Sequence, residues 1–346
     1  MNMNDESNDR KINMKMLARE LNLSIATVSR ALKDSYEVSD QTKARVKEAA
    51  ARLNYVVNTQ ASSLRSHKTY TLAIVVPEIG DSFFTQVING IESVADKKKY
   101  RVLICMTHDS YEREMSVINE LTNGRVDGVL ISVASNTRNG DHFNALKRKG
   151  IPIVFFDRDF KEINAASVKT DDFESAYNAT CHLLDNGCKK ISLITVRGGV
   201  SIFSAREEGY RQALIDNHSK PGLPDIIHCA NEHSADNIAM IRDHLLKARP
   251  DGLLLTVEHL STDAYTACQL IGLKIPADIK IACFTTQLTA GILNPALTTI
   301  QQPAFEMGQK AAELLIEYLT YKYIQLENQH LVLPSKLIIR DSTGLR

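Results

Sequence analysis

One short run of this chain places a guanidinium fork and apolar side chains together on one face of a helix. In Ser24-Ile25-Ala26-Thr27-Val28-Ser29-Arg30-Ala31-Leu32 a helical period puts Val28, Ala31 and Leu32 on one side. Ile25, Ala26, Ser29 and Arg30 are left on the outer face, at the beginning and middle of the helix. There Arg30 offers a two-pronged donor for guanine O6 and N7, and Ile25 and Ala26 offer apolar contact of the kind a thymine methyl accepts. A solvated helix arginine is the plainer reading of Arg30. A second constellation is spread along the rest of the chain: Phe83, Phe84, His108, Asp109, Ser132, Asp157, Arg158, Arg197, Glu258 and Thr285 each stand just after an apolar run. Ligands of open parallel sheets sit beyond the carboxyl ends of strands. A mixture of aromatic faces, carboxylates and guanidinium suits a polyol or a nucleobase, although each residue alone could equally cap a loop.

Three helices must position the first set. Asn13 can cap a helix whose apolar residues Met14, Leu17, Ala18 and Leu21 recur at three-to-four spacing. Asn22 stands at a turn position that tolerates left-handed backbone, and Ser24 can cap the next helix, Ile25 to Leu32, after a break of two or three residues. That spacing is helix-turn-helix. Ser39 then caps a third helix running through Leu53, in which Val46, Ala49, Ala50 and Leu53 supply the packing stripe. The segment 58–66 is too short to be helical alone in water, so it is expected to order only on a partner.

The second set rests on a repeating α/β pattern. TLAIVVP, RVLICMT, DGVLIS and PIVFFD read as buried parallel strands, and KKISLITV, DGLLLTV and KIACFTT, with DIIHC as a weaker candidate, form a second series. VDGVLIS at 126–132 echoes PDGLLLTV at 250–257, which suggests an internal duplication. Amphipathic stretches between them are expected as helices over 84–97, 111–123, 173–186, 205–216, 235–247, 261–271 and 306–319. LVLPSKLIIRD reads as a terminal strand. Two doubly wound sheets follow.

LARELNLSIATVSRAL, VSDQTKARVKEAAARLNY and NTQASSL together resemble the headpiece and hinge of the lac repressor and purine repressor family. The resemblance implies that the second helix enters the major groove with Ile25, Ala26 and Arg30 on base edges. It makes Ser24, Thr27, Ser29, Lys33, Ser39, Thr42 and Asn58 phosphate or positioning contacts. In the hinge, Leu64 with Ala61 beside it would wedge a minor-groove base step; a linker leucine packed on the body is the alternative. Met16 and Val57 replace the family's usual aspartate and proline.

The resemblance extends from about residue 12 to 340 and implies a periplasmic-binding-protein-like body. DSFF at 81–84, TDD at 170–172, RxxGY at 206–210 and LTTIQQP at 297–303 carry it. By it, Phe83, Phe84, Asp109, Ser132, Asp157, Arg206, Asn231, Thr285 and Gln302 become effector-pocket candidates, with Arg206 as a donor fork to a ligand hydroxyl or acid, or else a salt bridge tying the lobes. Where the family usually has Asn-Asp after the DGLLL strand, this chain has Val257 and Glu258. Thr285 and Thr286 replace an acidic pair. Such carboxylates hold sugar hydroxyls, so these departures argue against an ordinary hexose.

Composition agrees with a folded two-part chain. Its 346 residues exceed one ordinary domain. Lys plus Arg equals Asp plus Glu at 41 each, yet residues 10–68 hold 12 basic against 5 acidic side chains, a local positive surplus that phosphate attraction would use. Six scattered cysteines read as reduced thiols, and the polar N-terminus lacks a secretory pattern, so the cytoplasm is the expected compartment, with no membrane role. HCANEH at 228–233 matches no standard ligand spacing, and no catalytic motif is present, so neither metal, cofactor nor enzymatic activity is expected.

The expectation is thus an α/β chain: a tail over 1–11, a small all-α helix-turn-helix head over 12–57, a hinge over 58–69 and an effector and dimerisation body over 70–346. Within the body the first lobe is expected over about 70–165 and 301–328, the second over about 166–300 and 329–346. The expected function is a homodimeric transcription regulator, a repressor, that binds a near-palindromic double-stranded DNA operator under control of a small-molecule effector, a sugar or sugar derivative. A solute-binding receptor with the same body, or an activator, is the alternative.

Overall fold

The computed structural model describes residues 12–32, 34–53, 55, 68–196, 201–217, 224–230, 234–321 and 325–344. The chain divides into two compact units, Met1–Lys68 and Thr69–Arg346. In the first unit, α1 (Met14–Glu20), α2 (Ile25–Leu32) and α3 (Asp40–Arg52) form the expected three helices. Asn13 accepts from the Met16 amide at 3.0 Å, Ser24 Oγ from the Thr27 amide at 3.0 Å and Ser39 Oγ from the Thr42 amide at 3.3 Å, so each helix starts on a side-chain cap. Asn22 takes φ +52°, the left-handed turn its short polar side chain tolerates. Leu17, Ala18, Val28, Ala31, Val46, Ala49 and Ala50 close a small core between the helices.

The second unit holds two six-stranded sheets. The first sheet has the order β11-β5-β4-β3-β1-β2, from β1 (Thr71–Val76), β2 (Arg101–Met106), β3 (Gly128–Ile131), β4 (Ile153–Phe156), β5 (Ala166–Thr170) and β11 (His330–Leu333), all pairs parallel. The second sheet has the order β12-β10-β9-β8-β6-β7, from β6 (Ile191–Val196), β7 (Asp225–Cys229), β8 (Gly252–Leu255), β9 (Lys280–Phe284), β10 (Thr298–Gln301) and β12 (Lys336–Ile338). Its one antiparallel pair is β10 with β12. The crossover helices are α4 (Ser82–Lys97), α5 (Tyr111–Leu121), α6 (Asp141–Arg148), α7 (Asp172–Asp185), α8 (Ser201–Asn217), α9 (Ala235–Ala248), α10 (His259–Ile271) and α11 (Ala304–Thr320). Apolar clusters cover both faces of the sheets, which is why the inner strands read as continuous apolar runs.

Three expectations need correction. The lobe boundaries expected near 166 and 329 are wrong, because β5 and β11 pair with each other in the first sheet. The chain crosses between lobes at Thr170–Asp172, Gln301–Ala304 and Leu333–Lys336. The terminal run LVLPSKLIIRD is therefore two strands in two sheets, parted at Pro334, which cannot donate to a ladder. RVLICMT is a strand, but an edge strand: Leu103, Ile104 and Met106 are each 40% exposed or more. The short helix α6 is absent from the sequence reading: it spans only eight residues and buries three side chains, His142, Phe143 and Leu146, one of them polar.

Glycine sets how closely the helices cross. A Cβ on Gly209 of α8 would lie 2.2 Å from the Phe173 carbonyl oxygen of α7, and one on Gly308 of α11 would lie 2.1 Å from the Val87 carbonyl oxygen of α4. The two lobes thus share a glycine-mediated helix pair, as the duplication in the sequence suggests. In RxxGY, Gly209 permits that approach, and the buried Tyr210 hydroxyl donates to the Ile191 carbonyl at 2.7 Å.

Candidate functional site

On the head, the outer face of α2 is assembled as its period requires. Ile25 is 39% exposed, Ala26 and Arg30 are exposed, and Thr27 and Ser29 are half-buried. Arg30 Nε lies 2.8 Å from Glu37 Oε2, with the side chains 57% and 45% exposed. Glu37 has no place in the sequence reading. It holds the fork in solution, and an exposed pair of this kind contributes no more than about 1 kcal/mol, so a base edge can replace it. The hydroxyls of Ser24 and Thr27 bond to each other at 2.8 Å and those of Ser39 and Thr42 at 2.9 Å, so these four candidates fix helix starts. Lys43 and Lys47 converge on Asp34, whose carboxyl they hold below the ordinary range. Lys33, Asn58, Ala61 and Leu64 lie outside the described residues.

In the body, strand order reverses between β1 and β3 in one sheet and between β6 and β8 in the other, and such switch points open the crevice in which ligands sit. From the first lobe, Asp109 accepts from Arg158 Nη1 at 2.8 Å and from the Ser135 amide at 2.9 Å and hydroxyl at 2.6 Å. Ser132 donates to Asp157 at 3.2 Å. Arg158 lies 5.9 Å from the Phe84 ring centroid and 5.6 Å from that of Phe203 in α8, which brings the two lobes together across the guanidinium. Its buried Nε makes no hydrogen bond and stands 3.7 Å from Asp157 Oδ2. Phe83 packs edge-to-face on Phe84 within the first lobe's core.

From the second lobe, Arg206 lies 4.1 Å from the Phe284 ring centroid, donates from Nε to Asp172 at 2.7 Å and from Nη1 to the Thr256 carbonyl. Gln302 donates to Thr170 at 3.0 Å, and Thr170 donates to Asp172 at 3.2 Å, tying together two of the three crossovers. Thr285 donates to Glu258 at 2.7 Å. Asn231 lies outside the described residues, as do the last three residues of HCANEH.

Buried carboxylates dominate the electrostatics. Burial first, then the charge of Asp172, pushes Asp157 up to about 6, against the pull of Arg158 and Arg206. Asp172 is likewise raised by burial and lowered by Arg206. Asp81, which caps α4 by accepting from the Phe83 amide at 2.7 Å, is pushed up to about 7 by burial and by Glu258. Against Asp81, Asp109, Asp157, Asp172 and Glu258 stand the two guanidinium groups of Arg158 and Arg206.

The candidates satisfy one another, and the open volume lies beside them. A cavity of about 490 Å³ is lined by Ser135, Thr137 and Phe160 from the first lobe and Phe173, Ser204 and Glu208 from the second, among others. It borders chain neighbours of the candidates, such as Val133 and Ala205, and none of the described candidates themselves. Sequence reasoning missed Asp81, Ser82, Asp172, Phe203 and Phe284. The Asp-Ser-Phe-Phe run carried a signal for the first two, an N-cap before an amphipathic stretch.

A helix-turn-helix head and a two-lobed body with a polar cleft define a DNA-binding regulator. The model of the lacI family of bacterial regulatory proteins matches residues 13–58, and that of the periplasmic binding protein-like domain matches 180–343. The chain thus carries a lacI-family head and a periplasmic-binding-protein-like body. It is 28% identical over 330 residues to a catabolite control protein A of Staphylococcus epidermidis, covering 94% of this chain and 98% of the relative. A lacI-family transcriptional regulator from Enterococcus faecium with bound ribose superposes with a TM-score of 0.71 at 27% identity, covering 79% of this chain and 98% of that one. The lac repressor dimer bound to operator and an anti-inducer superposes with a TM-score of 0.84 at 20% identity, covering 97% and 100%, which shows the shared fold. Among the described residues no helix is long and apolar enough to cross a membrane.

Proposed function

We propose that this protein is a homodimeric, sequence-specific transcription regulator, a repressor, that binds a near-palindromic DNA operator and is switched by a sugar or sugar derivative held between the lobes of its body. The observation that carries this reading is the Ser24-capped helix presenting Ile25, Ala26 and Arg30 to solvent in a head matched by the lacI family model. Phosphate contacts come from Ser24, Thr27, Ser29, Lys33, Ser39, Thr42 and Asn58, and the hinge residues Ala61 and Leu64 act in the minor groove. Two half-sites require two heads, and the apolar edge formed by Leu103, Ile104 and Met106 gives a second copy a surface to cover.

The effector reading rests on the cleft and on ribose in the Enterococcus faecium relative. A neutral polyol in the open volume meets Ser135, Thr137, Asp159 and Glu208 between the phenyl faces of Phe160 and Phe173, and reaches Asp109, Asp157, Arg158 and Arg206 by replacing contacts they already make. Phe83, Phe84, Ser132, Asn231, Thr285 and Gln302 shape and support that site. Binding that favours one lobe arrangement changes the affinity of the paired heads for DNA by the same coupling free energy. The protein works in the cytoplasm and turns over no substrate.

Selection of binding sites from random duplexes by the full-length protein tests the reading. A near-palindrome bound by two chains is expected. Arg30→Ala should keep weak, salt-sensitive binding and lose sequence choice. A selection that enriches no sequence overturns it.

A further inference from the structure

The two switch points of the body touch each other directly. Ser82, the first residue of α4 in the first lobe, donates its amide to Glu258 Oε1 of the second lobe at 3.0 Å and its hydroxyl to Glu258 Oε2. Having one proton, that hydroxyl accepts in turn from Thr286 Oγ1, 2.6 Å away. Thr285 donates to the same carboxylate at 2.7 Å, and Gln86 reaches across to the Thr286 carbonyl at 3.2 Å. Glu258, Thr285 and Thr286 are all at least 93% buried. These are three of the four residues of the body at which the chain departs from the family pattern, and they act together.

We infer that Glu258 is an internal ligand of the cleft: carried by the second lobe, its carboxylate sits on the start of α4 in the first, holds the lobes together without a small molecule and excludes acidic effectors. A carboxylate is well placed there. The first amides of a 16-residue helix lack intrahelical partners and carry the positive end of its dipole. An effector that brought its own carboxylate or phosphate would have to expel Glu258 while facing Asp81 and Asp157. One that brings hydroxyl or amine donors meets acceptors. The refusal of acids rests on the reading of the cleft as the effector site, whereas the latch stands on the cross-lobe bonds alone.

Amide hydrogen exchange of the full-length protein without any effector tests the inference, read by mass spectrometry on peptides covering 79–86 and 284–288. Glu258→Ala should exchange about tenfold faster in both segments than wild type, as expected for loss of a charge-assisted bond. Glu258→Gln, which keeps an acceptor oxygen, should fall between. Sodium acetate, compared with sodium chloride at equal ionic strength, should slow exchange in Glu258→Ala by filling the vacated position and leave wild type unchanged. Equal exchange in wild type and Glu258→Ala overturns the latch, and acetate acting alike on both overturns the exclusion of acids. If Glu258→Ala does not fold, Ser82→Ala and Thr286→Val, each lacking one hydroxyl link, must accelerate the same two segments, and no change in either overturns the latch. The readout needs neither DNA nor effector, so its failure leaves the regulator reading standing, and a failed operator selection leaves the latch standing.

Discussion

Arg206 is held on three sides, by Asp172, the Thr256 carbonyl and the Phe284 ring, and this changes how it should be probed. Removing one member of a buried pair leaves the other charge uncompensated, so Arg206→Ala should destabilise the body by about 3 kcal/mol, visible as a lowered urea midpoint. Adding Asp172→Asn should recover a large part of that loss. Additive losses in this double-mutant cycle would mean the pair is not coupled. Arg30 is the opposite case, exposed and paired with Glu37. Glu37→Ala frees the fork and removes a negative charge near the phosphates. Operator affinity by fluorescence anisotropy should tighten by about threefold at low salt, the scale of one surface pair. At this scale the sequence revealed the types of the residues and the strand ends they follow. It did not reveal partners such as Glu37, which meets Arg30 from the irregular loop after α2, or Asp172, which meets Arg206 from another helix, because neither pairing follows a local period.

The glycine crossings govern the elements. Gly209→Ala gains helix propensity, yet its Cβ meets backbone of α7 that has nowhere to move. The net effect should be a loss of about 2 kcal/mol in denaturant unfolding, with secondary structure retained. An unchanged midpoint would mean that α7 and α8 adjust freely. The head helices were legible almost to the residue, since caps and apolar spacing agree on every boundary. The inner strands β1, β3, β4, β6, β8 and β9 were legible as well, because burial on both faces leaves a nearly unbroken apolar run. Two neighbouring strands of the first sheet were not: β5 is ASVKT, buried but built from small and polar residues, and β11, at the edge, is half-exposed along its length, so neither carries an apolar run. The misplaced lobe boundaries follow from those two strands alone.

For the whole molecule, the raised carboxylates predict how stability responds to pH. Asp81 faces Glu258, Glu78 and Asp157, and Asp157 faces Asp172, Arg158 and Arg206. Both acids titrate higher in the folded body than in the unfolded chain, so the folded state binds protons that the unfolded state has released. That contribution is present at low pH and is lost as pH rises through about 6 for Asp157 and about 7 for Asp81. The melting temperature should therefore fall between about pH 5 and 7.5 and level off above. Asp81→Asn, which keeps an oxygen for the Phe83 amide, should flatten the upper part of that slope. A profile identical to wild type would show that Asp81 ionises normally. The three short crossings, at Thr170–Asp172, Gln301–Ala304 and Leu333–Lys336, constrain any such response mechanically. Lobes joined by three short crossings that hydrogen-bond to one another resist sliding and separation, so a swing about that region is the motion the crossings oppose least. Whatever enters the cleft is thereby translated into a single angle, and a device with one coordinate can report presence or absence without reporting much about the shape of its guest.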